Sequence, residues 1–185
     1  MPNWCSNHVI VEGPEENILN LISSASQGVD ENGINNVFSF ENIIPTPENE
    51  LNGEGWYSWR LANWGTKWDL NQSLIEFKEP VEGGATGCLV FEMFYDTAWS
   101  PASHFWSNVC KQFPNLKITE EFFEEGCEFL GQTYYSADFV EKIDVMLDTK
   151  MYVKAGAVLN DEGYVDWDID QDYNLWSCFP LRNDF

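Results

Sequence analysis

A ladder of carboxylates near the C-terminus is the first feature of the sequence that could do chemistry. Its members occupy every second position and are Asp166, Asp168, Asp170 and Asp172. In an extended strand such residues point to one side, roughly 6.6 to 6.8 Å apart, and the intervening Trp167 and Ile169 point to the other. The ladder could therefore hold a cation, imitate the phosphates of a nucleic acid, or form an ordinary solvated strand face.

The spacing restricts the cation interpretation. An EF-hand loop that begins at Asp166 requires glycine at its sixth position and glutamate at its twelfth, where this sequence has Gln171 and Ser177. An EF-hand is excluded, and a looser divalent site stays open. The mimicry interpretation predicts a larger acidic array that binds a basic partner. Its further members are Glu124, Glu125, Asp161 and Glu162.

Tryptophans and two basic residues offer a second candidate site. They belong to the segments "WRLANWGTKWD" and "DTAWSP" and are Arg60, Trp64, Lys67, Trp68 and Trp99. Tryptophan rings can stack a base while Arg60 or Lys67 meets a phosphate, which would suit a nucleotide-sized ligand. The same rings could instead form part of the core, and the sequence leaves both interpretations open.

No catalytic constellation is visible. The sequence contains no GxSxG, no glycine-rich phosphate loop and no HExxH motif, and two histidines leave little room for histidine-based acid–base chemistry. The five cysteines form no CxxC pair, and the CxxH at Cys5 and His8 lacks the second pair that a structural zinc site needs. We therefore predict free thiols, no metal, no cofactor and no enzymatic activity.

The net charge restricts the partners of this protein. Thirty-one acidic residues stand against nine basic ones, a formal net charge of -22. Residues 120–185 carry a net of -12 and residues 1–119 a net of -10, so the C-terminal third is about twice as acidic per residue. This charge repels nucleic acids and anionic membranes and attracts basic proteins. Since no membrane-length apolar run and no signal peptide are visible, we expect a soluble, cytoplasmic protein.

The apolar pattern predicts an α+β domain that would position these residues. Strands are predicted at 7–13, 37–48, 73–78 and 88–99, and as an antiparallel pair around Glu125 and Gly126, with helices at about 14–26, 56–65 and 101–113. Leu74 and Phe77 are predicted to point inward. This order fits a ferredoxin-like, mostly antiparallel sheet with helices on one face, provided that an insertion follows the first helix. We predict this domain over residues 1–135 and an acidic, β-rich extension over residues 136–185 that packs on it.

Six short motifs carry a family resemblance. They are "MPNWCSN", "FENIIPTPE", "LANWGTKWD", "DTAWSP", "QFPNL" and "EEGCEFLG", and they follow one another over residues 1 to about 135. In this set and order the chain resembles the YubB-like family of phages, plasmids and genomic islands. The resemblance implies a ferredoxin-like domain and a mobile-element origin, but no activity and no catalytic residues. Two features depart from the family pattern: a shorter segment after "PTPE", and Ala102 in place of a second proline.

These observations favour a binding protein over an enzyme. The first hypothesis is a small acidic phage-type protein that inhibits a host defence or DNA-processing protein by occupying its basic nucleic-acid groove. The second is a small-ligand binder, for instance of a signalling nucleotide, that uses the tryptophan-lined pocket. The third is an accessory structural protein without a ligand.

Overall fold

A six-stranded antiparallel sheet organises the computed structural model of this chain, which describes residues 3–146, 148–165 and 174–178. The strands are β1 (Trp4–Pro14), β2 (Glu76–Glu82), β3 (Cys88–Ala98), β4 (Lys117–Glu124), β5 (Phe129–Tyr135) and β6 (Val140–Met146). Their order across the sheet is β2-β3-β1-β4-β5-β6, and every neighbouring pair is antiparallel. The first four strands therefore have the 2-3-1-4 order of a ferredoxin-like sheet, and β5 and β6 continue it as a meander.

Two helices cover one face of the sheet, as the sequence predicts. They are α1 (Glu15–Ala25) and α5 (Ser103–Gln112). α1 begins directly after Pro14, and the acidic Glu15 and Glu16 complement the positive end of its dipole. Helices of this length are marginal alone, whereas each fully buried apolar side chain contributes roughly 1.5 to 3 kcal/mol. The core residues that these helices supply include Ile18, Leu21, Phe105, Trp106 and Val109.

The chain between α1 and β2 forms the insertion that the ferredoxin-like plan requires. It contains α2 (Phe40–Ile43), α3 (Glu48–Leu51), α4 (Trp56–Asn63) and a 3-10 turn at Gln72–Leu74. α4 confirms the predicted helix, but the predicted strand at 37–48 is wrong. Ser39 caps α2 by accepting the N–H of Asn42 at 3.3 Å. Phe38 and Phe40, whose alternation suggested a strand, both lie in the core at the helix start.

The start of β2 also differs from the sequence prediction. Leu74 was expected to point inward, but it is 64% exposed because it lies on the 3-10 turn before the strand. Phe77 does pack against the core, as predicted. β2 begins opposite Phe94, so the last residues of β3 extend beyond it without a strand neighbour on that side. This free stretch forms one wall of the cleft that is the candidate site.

The opposite face of the sheet is covered on its β4–β5 side. A second cluster of buried residues lies there and consists of Leu130, Tyr152, Ala157, Val165 and Leu175. It joins β5 to α6 (Thr149–Ala155) and to a 3-10 turn at Leu175–Cys178. The ring of Trp176 lies 4.8 Å from that of Phe123 on β4. Residues after 135 thus add β6 to the edge of the same sheet and pack α6 against its face. The domain boundary at residue 135 stays a prediction.

Candidate functional site

A cleft of about 760 Å³ opens beside the end of β3. Its walls are residues 95–98 of β3, Trp4 of β1, the loop around residues 29–36, the start of α2, and residues 68–74. The volume lies in the range of pockets that bind small ligands. Because the cleft combines this volume with aromatic and charged side chains, it is the candidate site.

Tryptophans form the aromatic wall of the cleft. Trp4 is 51% exposed, and its ring centre lies 6.1 Å from that of Trp68 at an angle of 41°. Beside them, the Lys67 ammonium lies 3.9 Å from the centre of the Trp68 ring and 4.8 Å from that of Trp99. Trp99 has a left-handed backbone with φ of 67°, and its N–H donates to the carbonyl of Asn3 at 2.9 Å. The chain therefore already holds one cation on these rings.

Arg60 lines the cleft but is already paired. Its Nη2 lies 3.1 Å from Oε2 of Glu41, and its Nε donates to Oγ1 of Thr46 at 3.0 Å. The guanidinium also stacks on Trp64, 4.5 Å from the ring centre. Trp64 itself is fully buried and donates its indole N–H to the carbonyl of Ile44 at 2.9 Å. Arg60 is therefore fixed between a carboxylate and the core.

The residues predicted as a tryptophan-lined ligand pocket are thus divided between different places. Lys67, Trp68 and Trp99 form a surface cluster, of which Trp68 lines the cleft. Arg60 lines the cleft, and Trp64 belongs to the core beneath it. In the described part of the chain, Arg60 is the one basic side chain that lines this cleft, and Glu41 neutralises it. The arrangement therefore offers little to a phosphate.

Asp69, which no motif of the sequence singles out as a site residue, shapes one wall of the cleft. Its carboxylate accepts hydrogen bonds from the Ser39 hydroxyl at 2.6 Å and from the N–H groups of Phe40, Leu70 and Glu41 at 2.7, 2.8 and 3.2 Å. Burial raises the pKa of Asp69, and these hydrogen bonds act in the opposite direction. The carboxylate ties residues 68–70 to the start of α2. A serine cap at Ser39 was a readable signal for that helix start.

Carboxylates outnumber basic groups on the cleft wall. The acids are Asp30, Glu31, Glu41, Asp69 and Asp96, against Arg60 alone, so the formal charge is one minus five, or -4. Asp30 is used by its own loop, where the N–H of Ile34 donates to it at 2.9 Å and lowers its pKa. Asp96 is exposed and accepts one hydrogen bond, from the Ser6 hydroxyl at 2.8 Å. The carboxylates of Asp96 and of the exposed Glu31 can therefore accept further hydrogen bonds from a ligand in the cleft.

Glu124, which was predicted to face a partner, is instead buried at the end of β4. It is 2% exposed, and its oxygens accept the N–H groups of Gly126 at 2.7 Å and Cys127 at 2.6 Å. These bonds close the connection between β4 and β5. Glu124 therefore does not present a free carboxylate at the surface.

The other predicted acidic residues have different settings. Glu125 is exposed in the same β4–β5 turn. Asp161 and Glu162 are exposed in the turn that the bridge between Leu159 and Val165 closes. The members of the aspartate ladder lie outside the described residues and are Asp166, Asp168, Asp170 and Asp172.

Glu120 is a second buried carboxyl that the sequence analysis missed. It lies on β4, where the hydroxyls of Tyr135 and Ser103 donate to its Oε2 at 2.6 and 3.0 Å. Among the described residues, its Oε1 has no hydrogen-bond partner, and neither has the hydroxyl of Thr133, which stands opposite Glu120 in the β4–β5 register. Desolvation raises the pKa of Glu120 to about 7. Because the group is fully buried, it bears on stability rather than on ligand contact.

His8 belongs to a network of polar side chains on the sheet face opposite α1 and α5. Its Nδ1 lies 2.9 Å from Glu121 and its Nε2 3.3 Å from Glu92, whose Oε2 also meets Lys78 at 2.9 Å. The imidazole stacks on Phe94 at 4.2 Å. This network of polar side chains links β2, β3, β1 and β4. No cluster of three or more metal-binding side chains occurs among the described residues. That the protein binds no metal stays a prediction.

One family model supports the ferredoxin-like fold of this chain. Residues 82–153 match a family model described as the ferredoxin-like domain in Api92-like protein. A crystal structure of Api92 from Yersinia pseudotuberculosis aligns with a TM-score of 0.40 and 16% identity, over 63% of this chain and 44% of that one. This chain thus spans less than half of that protein's length. The search of curated proteins gives no significant match, and no helix among the described residues is long and apolar enough to cross a membrane.

Proposed function

We propose that this chain is an acidic binding protein of mobile-element origin that inhibits a host defence or DNA-processing protein. It would do so without catalysis, by occupying the partner's basic nucleic-acid groove. The observation that carries the proposal is the surplus of carboxylates. The sequence has thirty-one acidic residues and nine basic ones, so the carboxylates outnumber the lysines and arginines that could pair with them.

Such a surplus has a direct consequence for association. A protein of this net charge attracts a basic groove over a distance of about 8 to 10 Å at ordinary salt and accelerates the encounter. The exposed Glu125, Asp161 and Glu162 precede the aspartate ladder of residues 166–172 in the most acidic part of the chain. The resemblance to the YubB-like family supports the mobile-element origin, and the ferredoxin-like sheet would give these acids a rigid base.

A charge-matched pair of variants tests the proposal. In the first, Asp166, Asp168, Asp170 and Asp172 are replaced by Asn; in the second, four exposed acids elsewhere are replaced by Gln: Glu15, Glu16, Glu79 and Glu82. Both variants lose four charges. Tagged wild type and variants are compared for the proteins that they capture from a bacterial lysate at low and at high salt.

The proposal predicts that the ladder variant loses a captured basic protein while the control variant keeps it, and that high salt weakens the wild-type capture. Circular dichroism checks that both variants are folded. A folded ladder variant that captures the same protein as strongly as wild type at low salt would refute the mimicry. The solvated strand face would then be the remaining interpretation.

A small-ligand binder is the second candidate, and the cleft beside β3 favours it. The volume of about 760 Å³ and the exposed Trp4 suit a small molecule with an aromatic or cationic group. The charge of the wall argues against a nucleotide. Binding of a nucleoside monophosphate, measured by calorimetry, would reverse that argument.

A further inference from the structure

We infer that the cleft beside β3 binds an organic cation, the guanidinium or ammonium group of either a basic side chain or a free amine. If the cation is a basic side chain, the inference rests on the proposed function, because the basic partner protein would supply that side chain. If the cation is a free amine, it does not. Three independent properties of the wall lead to it: its charge, its hydrogen-bonding groups and its aromatic rings.

The charge of the wall selects a cation. Its formal balance is -4, and the single base, Arg60, already pairs with Glu41 at 3.1 Å. Asp96 is exposed and receives one hydrogen bond, from Ser6, and Glu31 is exposed as well. A cation that enters the cleft would therefore meet carboxylates that retain accepting capacity, in a concave site where the field of like charges is focused.

The amide groups of the wall also favour a donor. Asn42 donates to the carbonyls of Ala25 and Gln27 at 2.9 and 2.8 Å, and Asn36 donates to the same Gln27 carbonyl at 2.6 Å. Both side chains line the cleft. Since their N–H groups are engaged with the backbone, their side-chain oxygens remain to accept hydrogen bonds. Guanidinium and ammonium groups carry only donors, so they match this wall.

The aromatic rings supply the third property. Trp4 and Trp68 both line the cleft, with ring centres 6.1 Å apart, and half of Trp4 is exposed. Tryptophan rings in and beneath this wall already contact basic side chains of the protein itself. The Lys67 ammonium lies 3.9 Å from the centre of the Trp68 ring, and the Arg60 guanidinium lies 4.5 Å from that of Trp64. Tryptophan is the strongest cation acceptor among the aromatic side chains. Trp4 offers the surface that an external cation would use.

A calorimetric titration with matched small molecules tests the inference. The probes are N-acetyl-arginine amide for the side-chain source, agmatine for the free amine, N-acetyl-citrulline amide as the neutral isostere, and adenosine monophosphate as the anion. The variants are Trp4→Leu and Asp96→Asn, with Glu16→Gln on α1 as the control that removes one exposed charge outside the cleft. Circular dichroism checks that each variant is folded.

The inference predicts that the two cations bind and that the citrulline compound binds at least about tenfold more weakly. Trp4→Leu should weaken cation binding roughly twofold to fivefold, and Asp96→Asn by up to about fivefold, while Glu16→Gln leaves it unchanged. Arginine amide binding at least as tightly as agmatine, despite the second positive charge of agmatine, assigns the cleft to a partner's side chain, whereas agmatine binding without measurable arginine amide binding assigns it to a free amine.

Three results would overturn the inference: no binding of either cation, equal binding of the citrulline compound, or tighter binding of adenosine monophosphate. None of them depends on the aspartate ladder. Loss of partner capture in the ladder variant, together with intact agmatine binding, would show that the two sites act separately. Intact capture by that variant, together with cation binding in the cleft, would reject the mimicry and keep the cleft.

Discussion

Replacing Glu120 by Gln should remove a specific pH dependence from the stability of this protein. The carboxyl is fully buried on β4, and desolvation raises its pKa from 4.5 to about 7. In the unfolded chain it titrates near 4.5, so between these two values the folded state binds more protons than the unfolded state. The contribution of Glu120 is therefore fully present below about pH 4.5 and is lost as the pH rises toward 7.

The pKa values set the size of the effect. A difference of about 2.5 between 4.5 and 7, at 1.36 kcal/mol for each unit, corresponds to about 3 kcal/mol. The amide of Glu120→Gln imitates the neutral carboxyl: its oxygen can accept from Tyr135 and Ser103, and its N–H groups lie opposite the unpaired hydroxyl of Thr133. The variant should thus match wild type near pH 4.5 and exceed it by about 3 kcal/mol near pH 8.

Urea denaturation at a series of pH values measures this directly. The informative quantity is the free energy of unfolding of Glu120→Gln minus that of wild type, because other titrating groups cancel in the difference. Glu79→Gln, which removes an exposed carboxyl from β2, is the control. A flat difference for Glu120→Gln would refute the claim that burial of this carboxyl is costly at neutral pH.

Three further substitutions, one of them with a matched control, test the backbone and the thiols. Gly65→Ala should lower the free energy of unfolding by about 1 to 3 kcal/mol, because φ is +88° and the new Cβ would lie 2.9 Å from a carbonyl oxygen; Gly84→Ala, with open space around it, should be nearly neutral in the same urea titration. Glu128→Gly should raise the free energy of unfolding by up to about 1 kcal/mol, because φ of Glu128 is +55° in an exposed turn. Cys127→Ser should remove one equivalent from the thiols that a labelling reagent reaches in the folded protein, since Cys127 is exposed even though Glu124 raises its pKa, whereas Cys110 is buried and its pKa is raised to about 12.

The regular elements could be predicted because their apolar patterns agree with how they are buried. α1 and α5 place their apolar residues at helical spacing, and the long apolar run of β3 lies between β1 and β2. The prediction failed at residues 37–48, where Phe38 and Phe40 alternate like a strand. Tertiary contacts decide there, because Asp69, distant in sequence, binds the N–H of Phe40 and the hydroxyl of Ser39.

The candidate site was harder to predict because its parts come from separate segments. Trp68 and Arg60 were identified from their motifs, but Trp4, Asn42 and Asp96 meet them only through the sheet and the insertion. No local signal distinguishes these residues from ordinary surface side chains. The negative charge of the cleft could not be predicted either. It depends on the ion pair between Arg60 on α4 and Glu41 on α2, which forms only in the folded chain.

Competition with DNA tests the central claim most directly. The tagged protein is loaded with the basic partner that it captures at low salt, and duplex DNA is then added at increasing concentration with a neutral polymer of equal mass as the control. If the chain occupies a nucleic-acid groove, the DNA should displace the partner in a concentration-dependent manner and the bound protein should in turn block the partner's DNA binding. A partner that stays bound to this protein and to DNA at the same time would contradict the account.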